Sequence, residues 1–165
     1  MPFFPYFTYP SPLFYRENMI SDIPTAPPPK CPFCNPIVIE RQCVAETDTF
    51  RVLYCLTPAS DGNILLIPKR HMTRFEELDA KEAADLFKLI QKTQDVFQKH
   101  YGLSDYLLVQ KNGKNAGQSV AHIHVHAIPC PDHMELTRVF QYRPPLTGEE
   151  MQKAVKELTP FFQDP

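Results

Sequence analysis

Three of the chain's six histidines fall within five residues, His122-Ile123-His124-Val125-His126. In a β-strand successive side chains alternate between faces, so the three imidazoles share one surface and Ile123 and Val125 take the other. An imidazole near neutral pH can be a nucleophile, a proton donor or a metal ligand, according to what its second nitrogen contacts. Spacing alone leaves those roles open. The bland alternative is a half-exposed strand that happens to use histidine, but half of the chain's histidines gathered in one strand is a poor accident. The loop before them holds Gly113, Ala116 and Gly117, small residues that let backbone amides approach an anion, and then the side-chain donors Gln118 and Ser119. Donors beside candidate nucleophiles suit a phosphate ester.

A second group with chemical potential is Cys31-Pro32-Phe33-Cys34, in a chain with five cysteines and no apparent secretory leader. An odd cysteine count without a leader favours a reducing, cytoplasmic compartment and a metal or redox role over a disulfide framework. Taken alone, the pair is half of a zinc knuckle, a redox pair or an accident of composition. No βαβ pattern surrounds it, which disfavours the redox choice. The remaining candidates have ordinary explanations. His100 sits near a helix C-terminus, His133 in a loop, Lys69 and Arg70 are a solvated pair of charges, and Cys43 and Cys130 are small buried residues.

The elements that must position these groups form an α+β pattern. β-rich runs at 43–46, 50–56, 63–68, 106–111 and 120–129 are separated by turn residues and give an antiparallel five-stranded sheet. One long helix opens at Asp79 with Glu82 three residues on, a capping box, and closes at Gly102. Its expected apolar face is Ala83, Leu86, Phe87, Ile90, Phe97 and Tyr101, widened by Leu89 and Val96. A shorter C-terminal helix runs from Thr147, boxed by Glu150, to about Leu158. Residues 1–30 are rich in proline and aromatics and predict an extended arm, 31–130 the functional domain, and 131–165 an extension carrying the short helix. At 165 residues the chain supports one core, its net charge of -2 supplies no field for a nucleic acid polymer, and no run approaches a membrane span.

The segment Gly117-Gln118-Ser119-Val120-Ala121-His122-Ile123-His124-Val125-His126-Ala127-Ile128-Pro129 resembles the signature of the histidine triad (HIT) family. The resemblance continues upstream through Asn63 to His71 and back to the Cys31 pair. It implies a hydrolase or nucleotidyl transferase acting on nucleotide phosphoramidates or dinucleoside polyphosphates. His124 would attack the α-phosphorus, His126 and Gln118 would hold the phosphate and bridging atom, and Ser119 with backbone amides at Gly117 would bind the non-bridging oxygens. Asn112 would contact the ribose or phosphate end. The resemblance also implies a homodimer, and a structural zinc on Cys31, Cys34, His71 and His122, with His122 supporting His124 from behind. Cys55 stands where many relatives carry a ribose-binding Asp, and Asn63 where a histidine is frequent. Two other functions compete: a zinc hydrolase with His122 and His124 as ligands and an activated water, and a catalytically silent nucleotide-binding module.

Overall fold

The computed structural model describes residues 31–139 and 141–163, so the expected arm at 1–30 lies outside the described residues. Five strands, β1 (Cys43–Glu46), β2 (Phe50–Tyr54), β3 (Ile64–Pro68), β4 (Tyr106–Gln110) and β5 (Val125–Pro129), form one antiparallel sheet in the order β1-β2-β3-β5-β4. The period of two sorts their side chains into two apolar layers. Phe50, Val52, Tyr54, Ile64, Leu66, Val125 and Ala127 face the main core, whereas Leu53, Cys55, Leu65 and Ile67 face the other side with Phe33. Directly opposed residues share a face, and His126 pairs with Leu65, so the triad strand presents His126 on the Phe33 side.

Helices close the main core. α1 (Pro36–Gln42) is capped by Asn35, whose side chain accepts from Ile37 N at 3.0 Å, with Pro36 at the first helical position. α2 (Ala80–Tyr101) carries the expected box: Asp79 accepts from Glu82 N at 2.8 Å and Glu82 accepts from Asp79 N at 3.0 Å. Gly102 ends it with φ 68. Its buried stripe is Leu86, Leu89, Thr93, Val96 and Phe97; Ala83 is exposed and Phe87 is 62% exposed, so both leave the expected face. Thr93 belongs there because its hydroxyl donates to Leu89 O at 2.8 Å. A single turn, α3 (Leu136–Val139), precedes α4 (Gly148–Gln163), which buries Met151 and Leu158 against β1 and α2. α4 starts at the Thr147 and Glu150 box, as expected, but continues past Leu158 through Pro160. The apolar contacts of Phe161 and Phe162 with the core outweigh the one helical hydrogen bond a proline removes.

β5 begins at Val125, five residues later than the expected 120–129 strand. Two bonds account for this, one local and one tertiary: His124 Nδ1 lies 2.8 Å from the His122 carbonyl, and Ile123 N donates to Met72 O at 2.8 Å. Those bonds use groups that a ladder would need. His122 and His124 therefore sit on an irregular lead-in to the sheet, and only His126 of the three is on the strand.

Candidate active site and metal cluster

The three imidazoles still share one side. The Phe33 ring meets those of His122 and His124 edge-on at 6.1 and 5.1 Å between centroids, and His124 meets His126 at 5.3 Å. Ile123 and Val125 are buried, Val125 in the main core on the opposite side. Backbone carbonyls set the tautomers, because a carbonyl can only accept. His124 Nδ1–H donates to His122 O, leaving the lone pair on Nε2. His122 Nε2–H donates to Pro68 O at 3.0 Å, leaving the lone pair on Nδ1. Burial favours the neutral rings: it lowers His124 below the usual imidazole range, His122 to about 4 and His126 to about 3. At neutral pH all three are uncharged, as a nucleophile or a metal ligand requires.

The His122 Nδ1 lone pair points at sulfur. It lies 3.4 Å from Cys31 Sγ and 3.5 Å from Cys34 Sγ, and His71 Nδ1 lies 3.4 Å from Cys34 Sγ. The four ligand atoms lie within 4.8 Å of one another. Two donors bound tetrahedrally to zinc at ordinary Zn–S and Zn–N lengths stand about 3.5 Å apart, so this two-sulfur, two-nitrogen set fits such an ion. The sequence places the ligands on three separate pieces: the turn at Pro32–Cys34, the segment after β3 and the lead-in to β5.

The loop between β4 and β5 is built by glycine. Gly113 (φ 96) and Gly117 (φ 80) take conformations that other residues avoid, on either side of a turn at Lys114–Ala116. Gly117 N donates to Lys114 O at 2.9 Å and Gln118 N to Gly113 O at 3.2 Å, so Gly117 shapes the loop while its own amide is used within it. Ser119 is exposed and precedes His122 by three residues in the chain. Gln118 accepts from Gly113 N at 2.7 Å and donates to Thr73 O at 3.1 Å; Asn112 accepts from Phe75 N at 3.0 Å and donates to Glu76 at 2.7 Å. Each amide NH2 has a second hydrogen to offer a ligand.

Phe33 and residues 73–76 were not among the sequence candidates. Phe33 carries one local signal, its place between the two cysteines; residues 73–76 carry none, because their partners are nearly forty residues away. Other expectations need adjusting. Lys69 pairs with Glu46 at 2.9 Å, and Arg70 forks onto the buried Glu82 at 2.9 and 2.7 Å, so neither is merely solvated. Cys43 and Cys130 are half-buried, whereas Cys55 is buried and its thiol is pushed up to about 11 by burial. His100 packs its ring on Tyr101 and Phe161 at 4.3 and 4.6 Å, and His133 is exposed. Asn63 is buried and ties the turn to β5 through Ala59 N and Ala127 O.

An antiparallel sheet carrying three neutral imidazoles behind a glycine-shaped loop defines a histidine triad protein. A sequence model of the HIT domain matches residues 37–133, and the chain belongs to that family. Bis(5'-adenosyl)-triphosphatase of Dictyostelium discoideum is 32% identical over 134 residues, covering 78% of this chain and 90% of that protein. Adenosine 5'-monophosphoramidase of Schizosaccharomyces pombe is 32% identical over 131 residues, covering 78% and 96%. A hypothetical histidine triad nucleotide-binding protein from Sulfolobus tokodaii superposes with a TM-score of 0.66 at 27% identity, over 81% of this chain and 92% of that one. A zinc-bound histidine triad family protein from Mycobacterium smegmatis shares the fold, with a TM-score of 0.58 at 22% identity, over 78% and 95%.

Proposed function

We propose that this chain hydrolyses or transfers nucleotides from phosphoramidates or dinucleoside polyphosphates through a nucleotidyl-histidine intermediate on His124. The observation that carries this reading is the 2.8 Å bond from His124 Nδ1 to His122 O, which leaves the lone pair on Nε2. Attack by Nε2 forms the nitrogen–phosphorus bond as the leaving group departs, and water or another acceptor then releases the nucleotide. His126 and the second N–H of Gln118 hold the phosphate and bridging atom. Ser119, placed by the Gly117 turn, receives the charge on the non-bridging oxygens, and Asn112 meets the ribose or phosphate end.

Cys31, Cys34, His71 and His122 are the residues that would hold zinc. The bound ion would supply a closed structural crosslink, pinning Phe33 and the start of the domain to the histidine segment. A zinc-activated water on His122 and His124 is the weaker reading, because the His124 nitrogen nearer His122 is already bonded to a carbonyl. Cys55, buried among Phe33, Leu53, Leu65 and Ile67, is a poor hydroxyl acceptor, so the ribose is gripped differently from relatives with a carboxylate there. Homodimer formation is supported by β4 at the sheet edge, with Leu108 43% and Phe87 62% exposed. Sedimentation showing only monomer at micromolar concentration would remove it. Among the described residues no helix is long and apolar enough to cross a membrane, and five unpaired cysteines support a reducing cytoplasm. We propose 31–130 as the HIT domain and 131–165 as an extension, with the expected division at residue 30 lying at the edge of the described residues.

The deciding experiment is a single-turnover incubation of native protein and His124→Ala with adenosine phosphoramidate and diadenosine triphosphate, followed by mass spectrometry. Turnover, or an adduct of nucleoside monophosphate mass, is expected in the native protein and lost in the variant. Binding without turnover would make the chain a silent nucleotide-binding module.

A further inference from the structure

Residues 71–76 lie along residues 112–123 contact by contact. The His71 ring meets that of His122 at 4.8 Å, Met72 O accepts from Ile123 N at 2.8 Å, Thr73 O accepts from Gln118 Nε2 at 3.1 Å, and Phe75 N donates to Asn112 Oδ1 at 3.0 Å. Arg74 stands between the last two anchors, so its backbone is fixed against the loop. Its guanidinium is carried onto Gly113, where an added β-carbon would meet Arg74 Nη1 at 3.4 Å. Gly113 N is the donor that holds Gln118 Oε1 at 2.7 Å. A permanent cation therefore sits beside the amide assigned above to the bridging atom of the scissile bond.

The guanidinium is also available. Its Nε bonds Glu76 Oε1 at 2.5 Å, while the other Glu76 oxygen accepts from Asn112 Nδ2 at 2.7 Å, which holds the carboxylate to one edge of Arg74. The side chains of Arg74 and Glu76 are 53% and 58% exposed, and exposed ion pairs are weak and readily exchanged. A guanidinium has five N–H donors in a planar fork that matches phosphate, so its outer edge can take phosphate oxygens while Nε stays on Glu76.

Resting on the proposed function, we propose that Arg74 is a specificity-determining residue that binds the phosphate of the leaving group. It selects substrates in which the group beyond the scissile bond continues as phosphate. When the bond to the α-phosphorus breaks, a nucleoside di- or polyphosphate departs with added negative charge on oxygens that Arg74 can hold. An amine leaving group brings neither the charge nor the acceptors.

The test compares native protein, Arg74→Ala and Arg74→Lys on diadenosine triphosphate and adenosine phosphoramidate, which share the transferred half, and measures ADP and AMP binding by calorimetry. Circular dichroism checks folding, and the exposed Arg74 leaves no core cavity. We expect the ratio of kcat/KM for the dinucleotide to that for the phosphoramidate to fall about tenfold or more in Arg74→Ala and by less in Arg74→Lys. We also expect the native preference for ADP over AMP to vanish in Arg74→Ala. A ratio unchanged within about twofold overturns the proposal, as does an ADP preference that is absent in the native chain or intact in the variant. If the native chain turns over neither substrate, the enzymatic reading fails, and the ADP and AMP comparison still decides the role of Arg74.

Discussion

A single backbone carbonyl beside each ring determines what His122 and His124 can do. Pro68 O fixes the His122 proton on Nε2 and turns Nδ1 toward the cysteines, and His122 O fixes the His124 proton on Nδ1 and leaves the lone pair on Nε2, the atom that the proposed reaction uses. Cysteine chemistry should divide along the same lines. Cys31 and Cys34 are half-buried, whereas Cys55 is 4% exposed with a thiol pushed up to about 11. In metal-free protein, iodoacetamide at pH 8 should modify Cys34 and Cys31 well before Cys55, and added zinc should protect that pair; peptide mass spectrometry reads both. Equal rates at Cys55 would mean that its pocket opens in the native state. Phe33, 8% exposed and in contact with both rings, should cost about 3 kcal/mol when cut to alanine, measured by urea unfolding.

At the scale of elements, the helix cap and the turn before β3 make separate, checkable contributions. Glu82 closes the α2 capping box and takes two bonds from Arg70, which hold its carboxyl below the usual carboxylate range. A depressed folded pKa stabilises the fold above the unfolded value and loses that contribution as pH falls through the folded value. We therefore expect Tm to decline below about pH 4.5, and to decline less steeply in Glu82→Gln, which should also lose about 2 kcal/mol at pH 7. The two left-handed glycines flanking this region should respond unequally. Gly62 has φ 80, and an added methyl would stand 2.6 Å from the Tyr101 ring; at Gly102, φ 68, nothing lies within 4 Å. Gly62→Ala should cost about 3 kcal/mol and Gly102→Ala about 1 kcal/mol, by denaturant titration. Equal costs would show that the Tyr101 ring yields freely.

Across the whole molecule, the Cys31, Cys34, His71 and His122 cluster would, with a metal bound, be a long-range clasp. Its ligands come from three regions, and the Cys31 and His122 members are 91 residues apart. An ion bound only by the folded chain stabilises it by mass action. With zinc bound, chelation should lower Tm by about 10 °C or more, and Cys34→Ser should reproduce the loss, by scanning calorimetry. An unchanged Tm on chelation, with zinc content confirmed beforehand, would show that the cluster contributes nothing to the fold. The clasp also gathers the site, because Phe33 rides between its two cysteines and residues 71–76 run from His71 along the loop that carries Gln118.

The sequence by itself determined what depends on near neighbours. Strand alternation placed the five strands, Asp79 with Glu82 and Thr147 with Glu150 marked two helix starts, and Gly102 marked an end. Spacing marked Cys31 and Cys34 as candidate metal ligands, and His71 and His122 joined them only through the resemblance, since no spacing rule joins Cys31 to His71. Tertiary structure decided the rest. It took His122 and His124 out of the strand, turned Phe87 to the surface, carried α4 through Pro160, and laid Arg74 on Gly113. Caps and periodicities act within a few residues, whereas the proton on His122 is set by a carbonyl 54 residues away, a distance over which only the packed chain carries information.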